Sequence, residues 1–103
     1  MSIKKQFLKS KPECKVTFKF VKKADLKPKT VKVIGDFNNW DENAEPMKAL
    51  KSGDFTQTIN LSTNAQYQFR YLVDGSQWYN DEQADGYKDA GLGNSEQNSV
   101  LHL

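Results

Sequence analysis

The chain has 103 residues, with 15 Lys+Arg against 13 Asp+Glu, 37% hydrophobic and 12% aromatic content. That suffices for one domain with a real core, is richer in aromatics than a disordered chain, and is too short for a full hydrolase barrel. A net charge of +2 with one cysteine and one histidine excludes an intramolecular disulfide, a cysteine-based zinc site and most imidazole catalysis.

Residues 1–13 (MSIKKQFLKSKPE) read as a basic arm in which Ile3, Phe7 and Leu8 allow one amphipathic helical turn, too short to stand alone. No apolar run of signal-peptide length follows its charge, and no segment approaches a membrane span. With a free thiol at Cys14, these features point to a cytoplasmic protein. Residues 14–22 (CKVTFKFVK) alternate, Val16, Phe18 and Phe20 on one face of a strand and Lys15, Thr17 and Lys19 on the other. A loop with Pro28 leads to a second β run at 31–37 (VKVIGDF), stopped by Gly35-Asp36 and Asn38-Asn39. Lys51-Ser52-Gly53-Asp54 marks a turn before a third strand carrying Phe55, Ile59 and Leu61. The clearest alternation follows, with Tyr67, Phe69, Tyr71 and Val73 opposed to Gln66, Gln68 and Arg70. Asp74-Gly75 is a hairpin signal, and Trp78-Tyr79 form a short strand after it. Residues 80–97 read as a long polar loop that closes on a last strand in 98–103 (NSVLHL). About six to eight such strands, with no helical periodicity, predict an all-β antiparallel β-sandwich over residues 14–103.

The small net charge hides a split. Eleven lysines against Glu13 and Asp25 give residues 1–32 a charge of +9, while four bases against eleven acids give the rest −7. Lysines can track phosphates, but no arginine or stacking aromatic is interleaved with these. They read first as a solvated face and as guards of a sheet edge, and nucleic acid is not expected as a partner. Asp81, Gln83, Asp85 and Gly86 have the outline of a calcium loop, but Leu92 stands where the loop needs a glutamate, so a solvated acidic loop is the better reading. No metal or cofactor is expected. His102 lies next to the last residue and no nucleophile elbow accompanies it, so the chain reads as non-enzymatic.

The tryptophans say more. Trp40 ends the turn Gly35-Asp36-Phe37-Asn38-Asn39-Trp40, and Trp78 follows Asp74-Gly75-Ser76-Gln77. An indole beside Asn and Gln on a loop suits a sugar, whose C–H face stacks on the ring while amides bond its hydroxyls. Arg70, on the non-core face of the strand leading to Trp78, adds a five-donor fork to the same surface. Tryptophan is also ordinary core filling in a sandwich, and spacing alone leaves the two readings level.

Several blocks, taken in order, resemble a known family. GDFNNWDENAEPM (35–47), GDFTQTINL (53–61), YQFRYLVDG (67–75) with Trp78, and the closing NSVLHL are similar to carbohydrate-binding module family 48. That family includes the early-set domain preceding the barrel of isoamylases and branching enzymes, and the glycogen-binding domain of AMP-activated protein kinase β subunits. The resemblance implies an immunoglobulin-like (early-set) sandwich, here as a stand-alone domain, that binds α-1,4-glucans: glycogen, starch or maltooligosaccharides. It implies sugar stacking by Trp40 and Trp78, puts Arg70 where the family has lysine, and maps the family's loop leucine to Leu92. The family's sugar-binding asparagine falls at Gln97 or Asn98. Members fused to enzymes also use the domain for packing, so the competing expectation is a module that docks on a glucan-metabolising enzyme or regulatory partner.

Overall fold

A computed structural model, describing residues 2–23, 26–89 and 96–103, has its strands in two antiparallel sheets. The first holds β1 (Ser2–Phe7), β2 (Glu13–Phe20), β5 (Phe55–Ser62) and β4 (Lys48–Ala49), in the order β1-β2-β5-β4. The second holds β3 (Val31–Gly35), β6 (Gln66–Val73), β9 (Gln97–His102) and β8 (Gly86–Asp89), in the order β3-β6-β9-β8. A short strand, β7 (Gln77–Tyr79), pairs with the end of β6 that β9 leaves free. This is the all-β sandwich that the alternating runs predict.

The core forms where the inward residues of both sheets meet. β2 contributes Val16, Phe18 and Phe20, and β6 contributes Phe69, Tyr71 and Val73, all fully buried. Phe18 meets Phe69 edge-on at 5.1 Å between ring centres, and Phe20 meets Tyr71 at 5.4 Å. Such pairs add to what area burial alone supplies. The hairpin at Asp74-Gly75 forms as the dipeptide predicts, both residues having positive φ (51° and 75°). A 3-10 turn at Asp36–Asn38 ends β3 before Phe37 and tucks that ring against Phe18 and Tyr67.

Three expectations are corrected. The helical turn at Ile3, Phe7 and Leu8 does not form, because residues 2–7 pair with β2 as strand β1, Ile3 opposite Phe18. Its alternation is masked by Lys5, an inward position whose ammonium reaches Asp85 at 2.7 Å instead of the core. β2 is therefore not an edge, so Lys15 and Lys19 are not edge guards; they stand on the outer face of an interior strand between β1 and β5. The long loop at 80–97 contains β8, and Asp81 is fully buried, not solvated.

Lys5 ties β1 to the second sheet, since its ammonium also donates to His102 O at 3.1 Å while His102 N–H donates to Asp85 Oδ2 at 2.8 Å. Burial works against the Asp85 carboxylate, but the His102 N–H and the Lys5 ammonium outweigh it and hold its pKa below the ordinary range. The Lys22 N–H does the same for Asp54, and the Thr30 and Lys29 N–H groups for Asp74. A pKa lower in the folded than in the unfolded chain adds stability above the unfolded value and loses it as pH falls through the folded one. The thermal midpoint is thus expected to hold from neutrality to about pH 5 and to fall below about pH 4, less steeply in Asp85→Asn. A melt series across that range checks it.

Candidate functional site

The outer face of the second sheet is built from the residues that alternate with the core. On β6 these are Gln66, Gln68, Arg70 and Leu72; on β9 they are Asn98, Val100 and His102. Trp78 on β7 stands opposite Leu72, and Ile34 on β3 opposite Arg70. Ile34, Leu72 and Val100 are buried although they lie outside the main core. They form an apolar floor beneath longer side chains.

A depression of about 480 Å³ opens on this face, lined by Arg70, Ser76, Trp78, Asn80, Glu96 and Gln97. The Arg70 guanidinium carbon sits 5.1 Å from the centre of the Trp78 ring, a cation–π contact that fixes both groups. Arg70 Nη1 lies 3.9 Å from Glu96 Oε2 at the rim. The register places Arg70 opposite Asn98, which is 8% exposed and donates through Nδ2 to Gln68 Oε1 at 3.0 Å. Arg70 Nε and Asn98 Oδ1, a donor and an acceptor, are buried with no partner among the described residues. Each such orphan costs about 1–3 kcal/mol.

Asn80 is held from both ends of its amide. Nδ2 donates to Gln97 O at 2.8 Å and Oδ1 accepts from Ser99 Oγ at 2.8 Å. Ser99 Oγ in turn accepts from the Asp81 N–H at 2.9 Å. Beneath this chain the Asp81 carboxylate takes the Tyr71 hydroxyl at 2.7 Å. The wall of the depression is thereby continuous with the core.

Trp40 does not line the depression. It follows Asn39 in a pair of left-handed residues, φ 55° and 56°, and its N–H donates to Gly35 O at 2.9 Å. Its indole Nε1 donates to Asp36 Oδ1 at 2.9 Å, while Asp36 Oδ2 accepts from the Gln68 N–H at 2.7 Å. Trp40 thus connects to the face through Asp36, Gln68 and Asn98. Of the residues expected from the sequence, Arg70, Trp78 and Gln97 share the depression, Asn98 adjoins it and Trp40 stands apart; Leu92 lies outside the described residues. Ser76, Asn80 and Glu96 were not foreseen. The signal for Asn80 was its place two residues after Trp78, hidden by reading residues 80–97 as loop.

The lysines divide between the sheets: Lys32, opposite Leu72, and Lys88, opposite Asn98, share the outer face of the second sheet. Lys4, Lys15, Lys19 and Lys48 occupy the outer face of the first sheet, across the sandwich from the depression. Among the described residues no cluster of His, Cys, Asp or Glu is arranged to hold a metal, and no helix is long and apolar enough to cross a membrane.

Two comparisons bear on the family of the chain. The family described as the glycogen recognition site of AMP-activated protein kinase matches residues 12–96. The 1,4-alpha-glucan branching enzyme GlgB of Butyrivibrio fibrisolvens is 34% identical over 74 residues, which cover 69% of this chain. The matched part is 12% of that enzyme's length. With the family matched over most of its length, on a two-sheet antiparallel sandwich, the chain belongs to the glycogen-recognition family of carbohydrate-binding modules, of the family 48 type.

Proposed function

We propose that this protein binds α-1,4-glucans such as glycogen, starch or maltooligosaccharides, and that it does so without catalysis. The observation that carries the reading is the depression lined together by the Trp78 indole, the Arg70 guanidinium, Ser76, Asn80 and Gln97. Arg70 covers one face of the Trp78 ring, so the opposite face is assigned to a pyranose. A sugar hydroxyl both donates and accepts, the two capacities that the unpartnered Arg70 Nε and Asn98 Oδ1 leave unmatched beside the depression. Trp40 is assigned a second glucose unit at the margin, oriented by Asp36. Single-site affinity is modest, because each hydroxyl exchanges water for protein at small net gain.

Electrophoresis in native gels cast with glycogen tests this directly. The wild type is expected to be retarded, Trp78→Ala to lose at least about tenfold in affinity and Trp40→Ala to lose less. Equal mobility with and without glycogen would sink the reading.

A further inference from the structure

β4 covers only the start of β5, with Lys48 opposite Thr56 and Ala49 opposite Phe55. The residues before it explain why. Leu50 N–H donates to Asp54 O at 2.8 Å, so by antiparallel alternation Lys48 and Thr56 are a hydrogen-bonded pair. The next such pair would set residue 46 against Thr58, but residue 46 is proline and has no N–H. Met47 turns away too, its N–H donating to Val31 O of the other sheet at 2.8 Å.

Beyond that point β5 continues to Ser62 paired with β2 alone. On its far side the N–H and C=O groups of Thr58 and Asn60 point outward, and among the described residues no backbone hydrogen bond meets them. Both residues are exposed. A depression of about 370 Å³, lined by Glu45, Pro46, Lys48, Thr56, Gln57 and Thr58, lies where β4 departs. Exposed strand edges are normally guarded by charge, proline or a bulge. β1, at the opposite edge of the same sheet, carries Lys4 and Lys5, whereas residues 57–62 (QTINLS) hold no charge, proline or glycine.

We propose that a second copy of this chain covers this edge, β5 pairing antiparallel with its counterpart about a two-fold axis at Ile59. An antiparallel edge is its own complement. The register centred on Ile59 sets Thr58 against the partner's Asn60, and Asn60 against the partner's Thr58, closing about four backbone hydrogen bonds. It also sets Ile59 beside the partner's Ile59 on the inner face, while Thr and Asn meet on the solvent face. The segment is uncharged, so self-pairing meets no repulsion, and a charged strand would find no complement there. Residues 57–61 lie clear of β4, and the depression at Arg70 and Trp78 belongs to the other sheet. A dimer joined this way carries two such faces, which raises apparent affinity for a polymer if the glucan reading holds.

Light scattering on the full chain, in a concentration series to about 1 mM, reads the joint independently of any sugar. The mass is expected to rise from 11.8 kDa towards twice that value. Thr58→Pro removes an outward N–H that β2 does not use, and Thr58→Lys with Asn60→Lys sets like charges across the joint. Both variants are expected to stay at 11.8 kDa, with circular dichroism showing that the exposed lysine variant keeps its fold. A wild type that remains at 11.8 kDa throughout overturns the pairing and leaves the edge to a strand of another polypeptide. A dimer that survives both variants overturns it as well, because the joint then lies elsewhere.

Discussion

Asp81→Ala is expected to cost about 3 kcal/mol of folding stability and to lower the thermal midpoint by about 10–20 °C. The carboxylate is fully buried and takes the Tyr71 hydroxyl at 2.7 Å on one oxygen and the Gln83 N–H at 2.8 Å on the other. Alanine leaves a phenol hydroxyl stranded in the core and an amide without its acceptor, and the stranded donors set the penalty. The main-chain bonds of residue 81, its N–H to Ser99 Oγ and its C=O from the Tyr87 hydroxyl, persist but lose their anchor. Tyr71→Phe is expected to cost less, about 1–2 kcal/mol, and the double variant less than the two combined. Burial first, then the Asp81 charge and bond, push the Tyr71 pKa above its ordinary 10.0. The stability this adds is present below about pH 10 and is lost as pH rises beyond it. Urea unfolding of the three variants checks the pair; an Asp81→Ala loss under about 1 kcal/mol would contradict the role given to it.

The second large effect is at Gly35, where space and not conformation is limiting. Its φ of −170° suits any residue, but an added Cβ would lie 2.4 Å from Gln68 O and 2.7 Å from Phe69 Cβ. Those atoms belong to β6, which is flanked by β3 on one side and by β9 and β7 on the other, so it has little room to retreat. Gly35→Ala is expected to cost about 2–3 kcal/mol, as overpacking does where the backbone must shift. It is also expected to weaken glycogen retardation, because Gly35 N–H bonds Asn38 Oδ1 and Gly35 O holds the Trp40 N–H. Gly75→Ala is the control: no atom lies within 4 Å, and only its positive φ of 75° opposes a side chain. Its cost is expected to be about 1 kcal/mol. Equal losses at the two glycines would refute the steric explanation.

Where side chains alternate cleanly, the fold is legible from residue order alone. Val16, Phe18 and Phe20 mark β2, and Phe69, Tyr71 and Val73 mark β6, because each inward position is apolar. β1 escapes such reading since its middle inward residue is Lys5, paired with an aspartate eighty positions away. β8 escapes it because Gly86–Asp89 is an edge strand with no buried residue. The same limits apply to the site. Arg70 and Trp78 could be paired in advance, one on the outward face of a strand and the other after its hairpin. Asn80, Ser76 and the buried Asp81 depend on how β7, β8 and β9 converge, which no local pattern encodes. Of the lysine-rich third, Lys4, Lys15 and Lys19 stand on the sheet opposite the depression while Lys32 shares its face, and β1, not β2, forms the edge.

Trp40 and Trp78 are the only tryptophans in the chain, so indole fluorescence reports on both proposed platforms. Titrating maltoheptaose to about 10 mM into Trp40→Phe, which leaves Trp78 as the sole indole, isolates the depression. A saturable change in that variant, weakened by Arg70→Ala and absent with a non-glucan oligosaccharide, is the expected result. Unchanged emission across the range, in a variant shown to be folded, would contradict glucan binding at Trp78.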